Sequence, residues 1–184
     1  MKKITLFTLI ALLSISTVSF AQEFKFGHIN SQELIALMPE RDSALVVLQK
    51  HENELQEELK GLHSELQAKY NIYQQKQASW TASILEAKTN ELQEMDQRLQ
   101  SFQQNASQEL QQLQQVLFRP VLQKANNIVE KIGKERNLIY IFDTSGGTIP
   151  YISDSQSLDI LPIAKERLGI PADKKPQQFD QNPL

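Results

Sequence analysis

Residues 77–83, Gln-Ala-Ser-Trp-Thr-Ala-Ser, separate two long stretches of strong helix formers. Leu, Glu, Gln and Lys dominate both stretches, and these residues favour helix. The small and hydroxylated side chains of 77–83 can instead satisfy backbone groups locally. We therefore predict that this segment is the tip of a helical hairpin. A single helix of about 90 residues, roughly 135 Å long, is the alternative that the pattern leaves open.

Apolar residues recur in steps of three or four on both sides of this tip, which places them along one stripe of each helix. The outgoing stripe comprises Leu48, Leu55, Leu59, Leu62, Leu66, Tyr70 and Tyr73. The returning stripe comprises Leu85, Leu92, Met95, Leu99, Phe102, Ala106, Leu110, Leu113 and Leu117. Such stripes are typical of a coiled-coil seam, so residues 40–132 are predicted to form a hairpin arm.

Pro120 lies in the returning stretch. Proline lacks the amide proton and clashes with the preceding turn, so we expect it to break or kink this helix. The arm beyond Pro120 could then pivot.

Short apolar segments flank the arm and predict a small α/β body. Phe24–Ile29 alternates as a strand does, and Leu138–Phe142 is apolar throughout, as in a strand buried on both faces. Thr148–Ile152 is predicted as a third strand, at an edge because it contains Pro150. An amphipathic helix is expected from Ser157 onward. The fold class is thus mainly α with a small β body, formed by residues 22–39 and 133–170, into which the arm is inserted.

So small a body buries too little apolar area to offset its chain entropy. We therefore predict a homo-oligomer in which the doubly apolar strand contacts other subunits. The candidate oligomerisation residues are Leu138, Tyr140, Ile141 and Phe142. The pattern does not give the number of subunits.

The two ends of the chain have their own signatures. Lys2 and Lys3, the apolar run Ile4–Val18 and the small residues around Ala21 predict a secretory signal peptide, residues 1–21, cleaved after Ala21. A retained membrane anchor is the alternative, but the run is shorter than the roughly 20 apolar residues that span a bilayer. Export would place the mature chain in the periplasm. The polar tail, residues 171–184, is predicted to be disordered.

Composition excludes several function classes. The chain has no cysteine, so packing or other subunits must stabilise it. Its formal net charge of −3 gives no basic face for nucleic acid. His28, His51 and His63 lack metal-site spacing. Asp143 is assigned to a turn, because a catalytic acid would need a partner base or nucleophile. We predict no enzymatic activity, no cofactor and no metal.

Several segments together suggest a family: the signal peptide, Gly27-His-Ile-Asn30, the long hairpin, Leu138-Ile-Tyr-Ile-Phe-Asp143, Tyr151-Ile-Ser-Asp154 and the helix near Leu158. In this order they resemble the Skp/OmpH-like periplasmic chaperones, over nearly all of the mature chain. The resemblance implies a homotrimer whose sheets form a central body. Three hairpin tentacles would enclose a cavity that holds unfolded outer-membrane β-barrel proteins.

The charge of the arm tip departs from this family, which includes strongly basic proteins with positive tentacle tips. Here residues 69–98 contain four basic and four acidic side chains. Direct lipid binding is therefore doubtful for this chain.

Two functions follow from these features. A holdase that works without ATP would bind clients through many weak contacts with an imperfectly buried arm stripe. The candidate client-contacting residues are Leu92, Met95, Leu99 and Phe102, because Met and Phe adapt to many sequences. Each of them could equally pack against the outgoing helix. In that case a structural coiled-coil spacer or adaptor of the cell envelope is the alternative function.

Overall fold

The computed structural model describes residues 25–177. The predicted signal peptide and residues 178–184 lie outside the described residues. The elements in chain order are β1 (Phe26–Ile29), α1 (Ser31–Leu37), α2 (Pro39–Lys76), a single 3-10 turn (Gln77–Ser79), α3 (Ala82–Glu135), β2 (Tyr140–Asp143), β3 (Ser157–Asp159) and α4 (Leu161–Arg167).

The two long helices α2 and α3 form the predicted hairpin, and the alternative of one unbroken helix is wrong. Pro39 lies at the start of α2, where its missing amide proton costs no helical hydrogen bond. Lys76 lies in the last turn, where its positive charge suits the negative end of the helix dipole. Ser79 Oγ donates to the carbonyl of Lys76 at 2.8 Å, which satisfies one of the free carbonyls there. The 38 residues of α2 make an arm of about 57 Å.

Helix α3 continues through Pro120, so of the predicted break or kink the break does not occur. The carbonyl of Val116 has no amide donor at position 120. Val116 is 64% exposed, so water can satisfy that carbonyl instead.

The sheet has the order β2-β1-β3, and both outer strands are parallel to β1. The prediction of a strand at Thr148–Ile152 is wrong, because this segment is irregular. The third strand is instead Ser157–Asp159, in the stretch that was predicted to begin the last helix. Asp159 Oδ1 accepts from the amide of Leu161 at 2.9 Å, and Pro162 suits a first turn, so α4 begins only there.

The core lies between the inner face of the sheet, α1, α4 and the last turns of α3. Its most deeply buried side chains include Leu34, Met38, Ile132 and Ile160. The sheet lies very close to α3 at Gly133, where a Cβ would be 3.0 Å from Ile141 Cδ1. The core also contains Val121 and Ala125, which the sequence assigned to the arm.

The chain after α4 packs against the arm as far as it is described. Ile170 is buried, and Lys174 Nζ donates to Asp42 Oδ2 at 2.7 Å. Residues 171–177, the first part of the tail that the sequence predicts to be disordered, thus follow a defined path beside the arm.

Candidate functional site

The seam between α2 and α3 is tightly packed at a few positions only. Leu62, Leu99 and Ala106 are between 4% and 7% exposed. Leu99, one of the four candidate client contacts, thus packs in the seam and offers almost no surface. Leu92, Met95 and Phe102 are half-buried.

A mid-arm groove opens where the seam residue is small. Leu55, Leu59, Phe102 and Ala106 line it, with Gln103, Gln104 and Ser107 at its rim, and its volume is about 320 Å³. The short side chain of Ala106 does not fill the space opposite the two leucines. The groove therefore presents apolar surface between two polar edges.

A larger tip groove lies further out on the arm, with a volume of about 540 Å³. Its apolar and aromatic lining comes from Leu66, Tyr70, Tyr73 and Leu92. Its polar lining comes from Gln67, Thr89, Gln93, Asp96 and Gln97. Tyr70 is 46% exposed, which makes one wall of the groove accessible from solvent.

Aromatic and hydroxyl contacts stabilise the turn at the tip. Tyr73 and Trp80 pack edge to face with ring centroids 5.7 Å apart. The hydroxyls of Tyr73 and Thr89 are 3.1 Å apart, which joins α2 to α3. The predicted interruption at 77–83 is thus an ordered turn.

Two lysines near the tip share one carboxylate. Glu91 accepts hydrogen bonds from Lys69 on α2 and from Lys88 on α3. The bond from Lys69, followed by that from Lys88, lowers the pKa of Glu91 to about 2. Two of the four basic side chains in this region are therefore paired with a carboxylate.

His51 makes a further contact across the arm that the sequence did not predict. Its Nε2 lies 2.7 Å from Glu109 Oε1 on α3, and its Nδ1 lies 3.6 Å from Glu54 Oε2. The spacing of histidines along one helix gives no information about a partner on another helix, so this tie could not be found from the sequence.

The outer face of the sheet is aromatic. Tyr140 and Phe142 are 63% and 42% exposed, and their ring centroids are 6.2 Å apart. Phe26 on β1 lies 6.1 Å from Phe142. We call these three side chains the aromatic face.

The four candidate oligomerisation residues divide between two environments. Leu138 and Ile141 pack against the core of their own chain. Of the four, Tyr140 and Phe142 point away from it and are exposed. Ile141 alternates with Tyr140 and Phe142 along β2 and so lies on the opposite face, while Leu138 reaches the core from the segment before the strand.

Asp143 joins the end of β2 to the start of α1. Its carboxylate accepts from the amides of Ser31 at 3.2 Å and Ser145 at 3.0 Å, and from the Ser31 hydroxyl. Partial burial raises the pKa of Asp143, but these hydrogen bonds outweigh it and hold the pKa below its usual value. The assignment to a turn is thereby confirmed.

Residues 25–177 contain neither a membrane-spanning helix nor a cluster of metal ligands. None of the helices there has an apolar stretch long enough to cross a bilayer. No three His, Cys, Asp or Glu side chains in this part of the chain lie together as metal ligands would.

Residues 25–168, which include both the arm and the body, match the model of a family described as outer membrane protein (OmpH-like). The chain belongs to the OmpH-like family. The resemblance inferred from the sequence is therefore confirmed, together with its long helices and small sheet.

A solved structure has the same fold as this OmpH-like chain. It is a candidate outer membrane chaperone (OmpH-like) from Caulobacter crescentus CB15, and the TM-score is 0.68. The two sequences are 17% identical, and the match covers 88% of this chain and 92% of the other. No curated protein matches the chain.

Proposed function

We propose that this OmpH-like protein is a periplasmic holdase that keeps unfolded outer-membrane β-barrel proteins from aggregating without ATP. Family membership supports a chaperone role. The observation on which the proposal rests is the arm, which has two open grooves with apolar floors and amide-rich rims. A seam that only supported a spacer would have no need of such openings.

The lining of the grooves suits weak and unselective binding. Fully burying a Leu or Phe side chain is worth about 1.5–3 kcal/mol, and a half-buried side chain can gain only part of that. A single client segment in one groove would therefore bind weakly. Several grooves acting together would raise the overall affinity while each contact stays reversible. A client could then leave without ATP.

The client chemistry fits this surface. Strands of outer-membrane barrels alternate apolar and polar residues and include aromatic ones. An extended segment of this kind would place apolar side chains on Leu92 or Phe102 and polar groups on the glutamine rims. We propose Leu92, Met95 and Phe102 as client contacts, and Tyr70 joins them because it is exposed in the tip groove.

We further propose that the aromatic face is the self-association surface of a homotrimer. Phe26, Tyr140 and Phe142 form a contiguous apolar patch, and such patches on soluble proteins mark interaction sites. Three bodies joined by these faces would bring three arms around one cavity.

Export through a signal peptide cleaved after Ala21 belongs to the same proposal, since the clients cross the periplasm. Nucleic acid and lipid headgroups are not proposed as ligands. Residues 69–98 carry four basic and four acidic side chains, so the tip has no net positive charge to attract anionic lipids.

The test is dilution of a urea-denatured barrel protein into buffer without nucleotide, with and without the mature chain. We expect the chain to suppress light scattering near equal stoichiometry. Trp80 is the single tryptophan, so its fluorescence should change when a tryptophan-free client occupies the arm. Unchanged aggregation together with unchanged Trp80 fluorescence would refute the holdase and favour the envelope spacer.

A further inference from the structure

Residues 171–177, which we call the strap, turn back from the body onto the base of the arm. Ile170 is 5% exposed and fixes the start of the strap in the core. Lys165 Nζ donates to the carbonyl of Ala172 at 3.2 Å, and the amide of Lys174 donates to the carbonyl of Pro171 at 3.1 Å. These bonds direct the strap from α4 towards α2.

Two contacts join the strap to the first turn of α2. Lys174 Nζ donates to Asp42 Oδ2 at 2.7 Å, and the two side chains are only 21% and 14% exposed. Arg41 Nη1 donates to the carbonyl of Gln177 at 3.3 Å. Since both ions of the Lys174–Asp42 pair lie largely out of water, salt screens them less than it screens a surface pair.

The base of the arm has few other attachments on the α2 side. Helix α2 follows α1 after the single extended residue Met38. Glu40 on α2 pairs with Lys124 on α3, which joins the two arm helices to each other. The hydrogen bond from Lys124 lowers the pKa of Glu40, and the charge of Lys174 contributes to that shift. On α3, Pro120 removes one helical hydrogen bond near the same level.

We propose that the strap is a clamp that fixes the angle between the arm and the body, and that the Lys174–Asp42 pair holds it closed. Opening the clamp breaks one ion pair and one backbone contact, so it can be reversible. The arm then bends more widely at its base, while α3 still runs unbroken into the core through Val121 and Ala125. The strap lies beyond residues 25–168 that match the OmpH-like family model. The inference concerns the attachment of the arm and holds whether or not the arm binds a client.

The test measures the distance between the arm tip and the body. The chain has no cysteine, so Ala78→Cys at the tip and Glu166→Cys on α4 allow two spin labels to be placed selectively. Labelled chain is diluted into excess unlabelled chain, so that only distances within one chain contribute. Pulsed electron paramagnetic resonance then gives the width of the distance distribution.

Lys174→Ala is the decisive variant, and Lys175→Ala, at the exposed neighbouring position, is its control. We expect Lys174→Ala to broaden the distribution and Lys175→Ala to leave it as in the parent chain. Because the pair lies largely out of water, raising the salt to 1 M should broaden the parent distribution less than Lys174→Ala does.

Two truncations test the same clamp independently. A chain that ends at Ile170 lacks the strap, whereas one that ends at Gln177 keeps it. The first should broaden the distribution and the second should not. Equal widths for Lys174→Ala and the parent chain would overturn the proposal, whatever the truncations do. Circular dichroism would confirm that each variant keeps its helix content.

Discussion

Asp143 connects β2 to α1, and its charge should make the stability of the body depend on pH. The hydrogen bonds from Ser31 and Ser145 lower its folded-state pKa below the unfolded value of about 3.9. The stabilisation is therefore fully present above that unfolded pKa, and it is lost as the pH falls through the lower, folded-state pKa.

We expect Asp143→Ala to lower the free energy of unfolding by about 1 kcal/mol at neutral pH. This value is small for the loss of three hydrogen bonds, because the carboxylate is exposed and water competes for it. The difference from the parent should shrink below about pH 3.9. Urea unfolding at several pH values measures it, with Asp154→Ala in an exposed turn as the control. A difference independent of pH would contradict the role of the charge.

Tyr140 and Ile141 are neighbours with opposite roles, and substitutions should separate them. Ile141 packs on the core beside Gly133, so Ile141→Asp would bury an unpaired charge and unfold the body, at a cost of several kcal/mol. Ile141→Asp should therefore lower the helix and sheet signal in circular dichroism and not only the mass of an assembly.

The double variant Tyr140→Ser/Phe142→Ser should instead leave the body folded and lower the mass of the assembly. Exposed aromatic side chains often contribute about 2 kcal/mol or more each to an interface. Light scattering after size exclusion measures the mass, and circular dichroism measures the fold. A folded double variant with the parental mass would show that the aromatic face is not the subunit interface.

Stripe spacing predicted which residues face the seam but not how deeply each is buried. Leu92, Met95, Leu99 and Phe102 share one stripe, yet only Leu99 is fully packed. How deeply a residue of α3 is buried depends on which side chain of α2 lies opposite it. That pairing depends on the register of the two helices. The groove beside Phe102 exists because Ala106 is small, a consequence visible only once α2 and α3 are paired.

At the scale of elements, Pro120 is the one proline inside α3. Replacing it by alanine should restore a helical hydrogen bond and raise the free energy of unfolding by about 1–3 kcal/mol. The spread of arm orientations in small-angle scattering should narrow. Arg119→Ala, at the preceding exposed position, should change neither property. An unchanged spread in Pro120→Ala would show that α3 does not bend at this residue.

The helical elements were predictable and the short strands were less so. Long periodic stretches define α2 and α3, and the breakers at 77–83 place the tip. Ser157–Asp159 has only three residues, too few for an alternating pattern, and it becomes a strand because β1 offers it a free edge. Thr148–Ile152 has suitable residues but no strand beside it. Strand formation here depends on tertiary pairing more than on propensity.

At the scale of the whole molecule, client binding should be spread along the arm. Contacts across the hairpin show which residues lie level: His51 with Glu109, and Lys69 with Glu91. Deleting 63–98 therefore removes the tip groove and leaves Leu62 opposite Leu99. Deleting 52–108 removes the mid-arm groove as well. A short glycine-containing turn would close each shortened arm.

We expect protection of a denatured barrel protein to fall in two steps across these deletions, while the number of subunits, obtained from the measured mass of the assembly, stays constant. Leu92→Ser and Phe102→Ser should each weaken protection only modestly, because many contacts share the binding. Full protection by the chain lacking 52–108 would show that the arm does not hold clients.

The parallel sheet has a consequence for the order of folding. Strand β1 lies at the centre, and its partners come from the far end of the chain: Ser31 and Asp143, which bond beside the sheet, are 112 residues apart. Closing such a loop directly would be slow. The contacts of the arm are nested, with separations of 16 residues at Tyr73–Thr89, 22 at Lys69–Glu91, 58 at His51–Glu109 and 84 at Glu40–Lys124.

Each of these contacts leaves only a short additional loop for the next one to close. The hairpin can therefore form progressively from its tip towards the body. Its completion brings β2 and β3 close to β1. We propose above that the arm holds other unfolded chains. During the folding of its own chain, the same arm would form first and serve as the folding nucleus.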